Sequence, residues 1–581
     1  MQKLVHKQKG AVLILMAFII GLGVLAYMLH AFDPARLRVE QDKKTYQALN
    51  EAKQALIAWS VSHQYTPGQM PWPDRHLDPL IYDGSSDCVT TAFQYSYLLG
   101  QLPSQPDTSP CLDPNTGLNV YPALSTYSSL GQEFRDAKGN RLWYAVSRNL
   151  VRDHATSTNP IINPNIINVP TYPWLEVLDR NGNLVSNRVA AVILAPGEAL
   201  DGQNRSGAAD ASQFLDRFQI GAAVFNNRGY ATPDEDFVMG DDSRNVSAND
   251  PTFVQPYNFN DKLVYITIDE LMAALEKRVG EQARASLKTY QDTNGYYPYA
   301  AQLGTAQNQS GELNITVPLN VPATSGIMGG FLPVDHQRCT YTRASATDTS
   351  LSCTQPFFDA ATSGFTRVEY RNSPSTFTSN TLGCTINSGN RCYCTGAGSC
   401  SNASLTVNCT SNNCSAIGTG STTGDFRIRG GKLTFRSDGC IHTVFPTKVA
   451  SCTSSTTNRI TCSGSNGVAA SNGDVEFGSL LPAWFKANAW QNHVYYQLTR
   501  PASLTITVGN RATEATVATV GRPINSAPFA PSVGAIQVRP SCNTLNNYLD
   551  SVENTNGNAV YDATSTLRNL NYNDQTFVVA P

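Results

Sequence analysis

The sequence predicts an α+β protein in which long helices pack on antiparallel sheets, in two tandem copies with a cysteine-rich β insertion in the second. Three observations predict this class. An uncharged apolar run at 11–32 leads into a helical stripe of apolar residues. Five short motifs recur in the same order in both halves of the chain. Eleven of the 14 cysteines lie between Cys339 and Cys462.

The first element is an apolar helix behind a basic segment. Lys3, Lys7 and Lys9 precede the run 11–32, whose 22 residues would span about 33 Å as a helix, enough to cross a bilayer. The basic flank predicts a cytoplasmic N-terminus with the rest of the chain on the other side. We therefore expect a transmembrane helix at 11–32.

The helix continues beyond this run. Leu49, Ala52, Leu56 and Trp59 are spaced three or four residues apart and predict one core-facing stripe over 35–63. A Pro/Gly-rich turn then ends the helix before Asp74.

Three interpretations of the N-terminus remain open: a cleaved secretory signal, a plain signal anchor, and a leader that is cut before the helix. The third follows from Gly10, which ends the basic segment directly against the apolar run. With the helix that follows, this junction resembles the prepilin leader of type IV pilins and type II secretion pseudopilins. The resemblance implies that prepilin peptidase cuts after Gly10 and that Ala11 becomes a methylated N-terminus.

One residue departs from that class. Pilin-like subunits usually carry Glu at the fifth position after cleavage, and here that position is Leu15. A buried charge is costly unless it is paired, and the resemblance implies a subunit that needs no such partner above it. The resemblance to large tip pseudopilins, which also lack this Glu, implies a place at the filament tip.

The internal duplication supplies the domain organisation. The strand motif at 139–150 recurs at 490–501, and the motif at 257–267 recurs at 570–581. Thr267 with Glu270 forms a capping box that begins a second helix, in which Leu275 and Val279 start another apolar stripe. The predicted segments are a leader (1–10), the transmembrane helix (11–32), a first pilin-like α+β domain (33–266), a second one (267–303 and 475–581) and the Cys-rich insertion (304–474).

The cysteines predict disulfides in an oxidising compartment, because the paired Cys-x-x-Cys spacing of zinc sites is absent. Cys88 and Cys111 are expected to pair, since no other cysteine lies in the first half. Cys542 then pairs within the crowded set if all 14 are oxidised. Connectivity inside the insertion stays open.

Charge and motif content exclude some functions. A net charge of −3 with 15% charged residues argues against nucleic acid as a partner. No catalytic motif or paired histidine spacing is present, so an enzyme is not expected. The acidic run at 233–242 offers oxygen ligands for calcium, the one cofactor considered, from Asp234, Glu235, Asp236, Asp241 and Asp242.

These observations predict a minor type IV pilin or pseudopilin that displays the insertion for adhesion or substrate recognition. Expected partners are other pilin-like subunits, prepilin peptidase, the inner membrane, and a surface ligand or secreted substrate. The expected location is the bacterial inner membrane, crossed once with the bulk periplasmic, then a filament or the cell surface after assembly. The alternative is a membrane-anchored periplasmic or surface binding protein that never polymerises.

Overall fold

The structure, a computed structural model, divides the chain into two compact units. The first comprises Met1–Ser62, Gln69–Pro160 and Thr171–Leu271, and the second His63–Gly68, Ile161–Pro170 and Met272–Pro581. The structure describes residues 9–580 except for 32–33, 64–65, 76–81, 83, 85, 88–92, 105–129, 131, 152–159, 201–202, 207–209, 221–222, 241–258, 296, 299–300, 303–311, 314–325, 333–337, 346–347, 355–357, 364–366, 374–375, 390, 403–404, 411–412, 419–422, 430–431, 436–450, 456–458, 464–476, 501–504, 525–536, 538–547, 556–557 and 563–571.

Helices form a minority of the described residues. The α-helices are α1 (Lys9–Ala31), α2 (Pro34–Ser62), α3 (Ile268–Asn294), α4 (Ala483–Ala487) and α5 (Val552–Thr555). Short 3-10 helices lie at Tyr95–Leu98, Arg148–Leu150, Pro164–Ile167, Ala211–Gln213, Phe477–Leu480 and Trp490–His493.

The helical stripes fall where the apolar spacing predicts them. Leu49, Ala52 and Leu56 of α2 are fully buried, as are Leu275 and Val279 of α3, whereas Trp59 is only half-buried. The Oγ1 of Thr267 accepts the N–H of Glu270 at 3.1 Å, which caps the first turn of α3. The local spacing therefore sets both the start of α3 and the buried face of each long helix.

The predicted membrane-spanning helix is corrected by the structure. Among the described residues, no helix combines the length and the apolar character needed to cross a membrane. This finding contradicts the transmembrane helix at 11–32 and the single-pass location in a bacterial inner membrane, and both are withdrawn. The fold class that remains is α+β, with mostly strands and few helices.

The first unit is built on a sheet of six strands. Its strands are β1 (Leu99–Gln101), β2 (Trp143–Val146), β3 (Leu175–Leu178), β4 (Leu184–Ala195), β7 (Asp236–Val238) and β8 (Lys262–Thr267), and β5 (Arg217–Ile220) pairs with β6 (Ala223–Asn226) in a separate hairpin. The order is β1-β2-β4-β3-β7, with β8 also on β4, and all pairs are antiparallel except β3 with β7.

The long strand β4 organises this sheet. Its first half pairs with β3 through the Asp-Arg-Asn-Gly-Asn turn, where Gly182 has a φ of +80°. Its second half, from Val189 to Ala195, is fully buried between β2 and β8. The helix α2 packs against β4 and β8, which places the core of the first unit between helix and sheet.

The second unit contains two sheets of its own, formed by β9 (Ala301–Gln302), β11 (Gly326–Phe331), β26 (Val494–Arg500), β27 (Ile506–Val508), β28 (Arg511–Thr513), β29 (Ala515–Thr519), β30 (Val560–Tyr561) and β31 (Gln575–Ala580). One sheet has the order β31-β29-β26-β11-β9, and the other, smaller sheet contains β27, β28 and β30. β27 pairs with β30 in parallel, and the other pairs are antiparallel. The ring of Phe577 in β31 lies against Gly280 of α3 so closely that a methyl group there would overlap it.

Two further antiparallel sheets form the cysteine-rich region. The eight-stranded sheet contains β12 (Arg338–Ser345), β13 (Asp348–Thr354), β15 (Arg367–Ser373), β17 (Cys384–Ile386), β18 (Arg391–Cys394), β22 (Thr423–Arg429), β24 (Ser451–Ser455) and β25 (Arg459–Ser463). The seven-stranded sheet contains β10 (Glu312–Leu313), β14 (Phe358–Ser363), β16 (Ser379–Asn380), β19 (Gly398–Ser401), β20 (Leu405–Thr410), β21 (Asn413–Gly418) and β23 (Lys432–Phe435). Of the described strands within the predicted insertion 304–474, only β11 joins the sheet of β26.

The two units repeat one arrangement. In each, four antiparallel strands follow in the same order (β1-β2-β4-β8 and β11-β26-β29-β31), beside a parallel pair (β3 with β7, β27 with β30). The second strand carries a buried tyrosine whose hydroxyl donates to the carbonyl of a proline after the long helix. These bonds are Tyr144 to Pro71 at 3.2 Å and Tyr496 to Pro298 at 2.8 Å. The motifs that recur in the sequence thus occupy equivalent places in each unit.

Candidate functional site

Between residues 13 and 24, where its side chains are described, the helix α1 presents an exposed apolar surface. Nine large apolar side chains between Leu13 and Val24 are 49–74% exposed. Exposed apolar area on this scale marks a surface that another molecule covers. The described part of α1 is therefore the strongest candidate for an assembly surface.

The residues that the sequence singled out for processing lie in this helix. Gly10 is the second residue of α1, and Ala11 follows it. Leu15, which stands where the resemblance implies a Glu, is 62% exposed among other apolar side chains. The sequence thus offers no carboxylate at this position of the apolar surface.

A pair of buried aspartates fastens the chain in the first unit. The Oδ2 of Asp261 accepts the N–H of Asp216 at 2.8 Å and the side-chain amide of Asn227 at 3.0 Å. In return the Oδ2 of Asp216 accepts the N–H groups of Asn260 and Asp261. Gln203 donates to the Oδ1 of Asp216 at 2.9 Å. These bonds, which we name the first clasp, hold three loops to the start of β8.

The second unit repeats four of these five bonds. The Oδ2 of Asp574 accepts the N–H of Asp550 at 2.8 Å and the side-chain amide of Asn554 at 3.1 Å. The Oδ2 of Asp550 accepts the N–H of Asn573, and Gln537 donates to its Oδ1 at 3.0 Å. This second clasp joins the start of β31 to the loops before it, so the duplication extends to individual hydrogen bonds.

Burial dominates the electrostatics of the first clasp. It raises the pKa of Asp216 to about 6, against the smaller opposing effects of backbone hydrogen bonds and of Arg228. Burial, together with the neighbouring Asp216, also raises the pKa of Asp261 well above its usual range. Both carboxyls therefore hold protons more tightly in the folded chain. Backbone N–H groups already donate to the Oδ2 atoms of both aspartates, which indicates that the pair has a structural role.

The first unit also contains a small polar cavity of about 110 Å³. Lys138 and Glu198 form an ion pair at 3.5 Å across it, and Lys262 pairs with Asp42. Asn260 is 6% exposed, and no described residue donates to its Oδ1. The cavity has room for several waters or one small polar group.

The acidic run proposed for calcium is only partly described. Asp241 and Asp242 lie outside the described residues. Asp234 and Asp236 are exposed, and Asp236 pairs with Glu176 on the adjacent strand. Burial raises the pKa of Glu176, and the nearby carboxylates of Asp236 and Asp234 raise it further. These three carboxyls therefore lie near one another. Calcium binding here stays a prediction.

Three cysteine pairs lie at disulfide distance: Cys384–Cys394, Cys392–Cys400 and Cys409–Cys414. Every cysteine whose side chain is described belongs to one of them. The predicted pair Cys88–Cys111 lies outside the described residues. Among the described residues, the groups of three or more His, Cys, Asp or Glu side chains that lie close enough to hold one metal ion contain only these cysteines.

The chain matches no protein-family model, no curated protein and no solved structure. The resemblance to the pilin class therefore remains a hypothesis that rests on the sequence alone.

Sequence reasoning missed the two clasps and the sulfur cluster. The aspartates of the clasps stand in Leu-Asp and Asn-Asp pairs that recur in both repeats (215–216 and 549–550, 260–261 and 573–574). That recurrence was the available signal. The sulfur cluster has no such signal, because it depends on the register of strands from different parts of the chain.

Proposed function

We propose that the chain is a minor subunit of a type IV pilin-like filament, and that α1 is the element that joins it to neighbouring subunits. The observation that carries the proposal is the exposed apolar surface at 13–24. Burying a large apolar side chain contributes about 1.5–3 kcal/mol when it is complete. Covering nine half-exposed side chains therefore contributes on the order of 10 kcal/mol, enough to hold a subunit in an assembly.

The order of segments supports this function. A short basic segment with Gly10 at its end precedes the apolar helix, as in prepilins, and α2 then leads into a helix-on-sheet unit. Prepilin peptidase is the proposed processing partner. Cleavage after Gly10 leaves the apolar helix on the mature chain, where equivalent helices of other subunits cover it.

Leu15 supports a terminal position in such a filament. An exposed leucine at the fifth place of the mature chain needs no charged partner from another subunit. A subunit of this kind can end the row of helices. We propose the tip, where the cysteine-rich sheets are displayed for adhesion or for recognition of a secreted substrate.

The test is incorporation into sheared filaments, measured by quantitative immunoblotting. Phe18→Glu places a charge on the apolar surface of α1, where Phe18 is 65% exposed, and should reduce incorporation at least about tenfold. The matched control is Val224→Glu, which changes an apolar residue of similar exposure on β6, at 55%. It should incorporate like the wild type. Equal incorporation of the Phe18 variant and the wild type would refute the role of α1.

A further inference from the structure

Four buried cysteine sulfurs converge in the cysteine-rich region. They come from β17 (Cys384), β18 (Cys392 and Cys394) and β19 (Cys400), and their Sγ atoms all lie within 4.8 Å of one another. None of the four residues is more than 2% exposed. Cys392 and Cys394 are two residues apart on one strand, so their side chains lie on the same face.

The separations suit one thiophilic metal ion. Zinc binds four cysteine sulfurs at about 2.3 Å in a tetrahedron, which places the sulfurs about 3.8 Å from one another. Cys392 and Cys394, which are not bonded to each other, have their Sγ atoms 3.6 Å apart. The other sulfurs need to move by only an ångström or two to meet this geometry. The spacing along the chain hides the site, because its ligands come from three strands.

Backbone contacts hold the four positions together independently of the sulfur bonds. The N–H of Thr381 donates to the carbonyl of Ser399 at 2.8 Å, and the N–H of Thr395 donates to Gly383 at 3.2 Å. Gly383 has a φ of +94°, and a methyl group on it would overlap the carbonyl of Ala397. The two turns are thus closely fitted, and we expect them to keep the cysteines together after reduction.

We propose that the reduced chain binds one Zn²⁺ at Cys384, Cys392, Cys394 and Cys400, and that this form and the disulfide form exclude each other. A dithiol supplies the two electrons and two protons that convert each disulfide into two thiols, and becomes a disulfide itself. A phosphine supplies the two electrons, water supplies the two protons and an oxygen, and the phosphine becomes its oxide. Zinc then displaces the four thiol protons and binds four thiolates. Oxidation by a disulfide oxidant reverses both steps and releases the ion.

The experiment uses the full chain, reduced with a phosphine under nitrogen and freed of reductant. One equivalent of Zn²⁺ is added, the thiols are alkylated with iodoacetamide, and peptide mass spectrometry measures the rate at each cysteine. Zinc should slow alkylation of the four proposed ligands by at least about tenfold, and leave Cys339 and Cys452 unchanged. A rate that zinc leaves unchanged at these four cysteines would overturn the proposal, whether or not the reduced chain is fully folded.

Cobalt distinguishes the site from loose binding to other thiols. Co²⁺ bound by four thiolates absorbs strongly in the visible region, and one equivalent should saturate the signal in the reduced wild type. Cys394→Ser should lose most of this absorption. Cys339→Ser, the matched control on β12, should keep it. Equal signals from the two variants would contradict the assignment of the ligands.

Discussion

The first clasp makes the stability of the first unit depend on pH, and Asp261→Asn tests this directly. An aspartate in an unfolded chain has a pKa of about 3.9, whereas burial raises the pKa of Asp216 to about 6 and raises that of Asp261 well above its usual range. The folded state therefore binds protons that the unfolded chain releases. The stabilisation is complete below about pH 4 and is lost as the pH rises through the folded-state pKa values.

The size of the effect follows from proton linkage. One proton held by the folded state and released on unfolding changes the free energy of unfolding by about 1.4 kcal/mol per pH unit. Asp216, whose folded-state pKa is about 6, accounts for a loss of about 3 kcal/mol between the unfolded-chain pKa of about 3.9 and that value. Asp261 adds a loss in the same direction. Asparagine cannot ionise, and its Oδ1 can still accept from the N–H of Asp216 and from Asn227. We therefore expect Asp261→Asn to reduce the slope by about 1.4 kcal/mol per pH unit.

The assay is urea unfolding at several pH values, monitored by hydrogen exchange in peptides from β4 and β8. These peptides report the unfolding of the first unit separately from that of the second. Asp179→Asn is the matched control, because hydrogen bonds from Asn183 lower the pKa of this exposed aspartate. Its stabilising effect is constant above about pH 5, so it leaves the slope unchanged. An Asp261→Asn variant with the wild-type slope would refute the reasoning.

Three further substitutions test the packing. Gly280→Ala inserts a methyl group against Phe577 and should destabilise the second unit by about 1–3 kcal/mol in urea unfolding. The control Gly23→Ala, whose methyl group meets nothing within 4 Å, should not destabilise it. Equal unfolding midpoints for the two variants would contradict the close packing. Thr267→Ala removes the cap of α3 and should lower the free energy of unfolding by about 1 kcal/mol in the same assay. Thr267→Ser keeps the hydroxyl and should retain most of the wild-type stability. Tyr496→Phe removes the bond to Pro298 and should speed hydrogen exchange in β26 by about fivefold, and an unchanged rate would count against that bond.

Features set by local sequence were predictable. The buried stripes of α2 and α3 follow from apolar spacing, the start of α3 follows from Thr267, and the hairpin before β4 follows from its Asn-Gly pair. Each depends on residues within a few positions of one another, where backbone geometry leaves little choice.

Features that join distant segments were not predictable. Asp216 and Asp261 are 45 residues apart, and their mutual hydrogen bonds require both loops to be placed first. The sulfur cluster similarly depends on pairing between strands that sequence periodicity does not specify. The prediction of a transmembrane helix was made from the apolar run alone, and the described residues do not contain a helix of that kind.

The candidate site shows the same division. The sequence identifies Gly10, Ala11 and Leu15 by their position in a linear pattern, and their roles stay predictions; Leu15 lies among exposed apolar side chains of α1. The calcium residues were chosen from a run of acidic letters. The structure instead brings Asp234 and Asp236 to Glu176, which lies 58 residues before Asp234 and could not be found from that run.

The measurement that tests the filament proposal most directly is the mature N-terminus, determined by mass spectrometry of the intact chain from cells with and without prepilin peptidase. The proposal predicts a chain that begins at methylated Ala11, and this form should disappear when the peptidase is absent. A chain that retains Met1 in both strains, or one cut near residue 30, would contradict it.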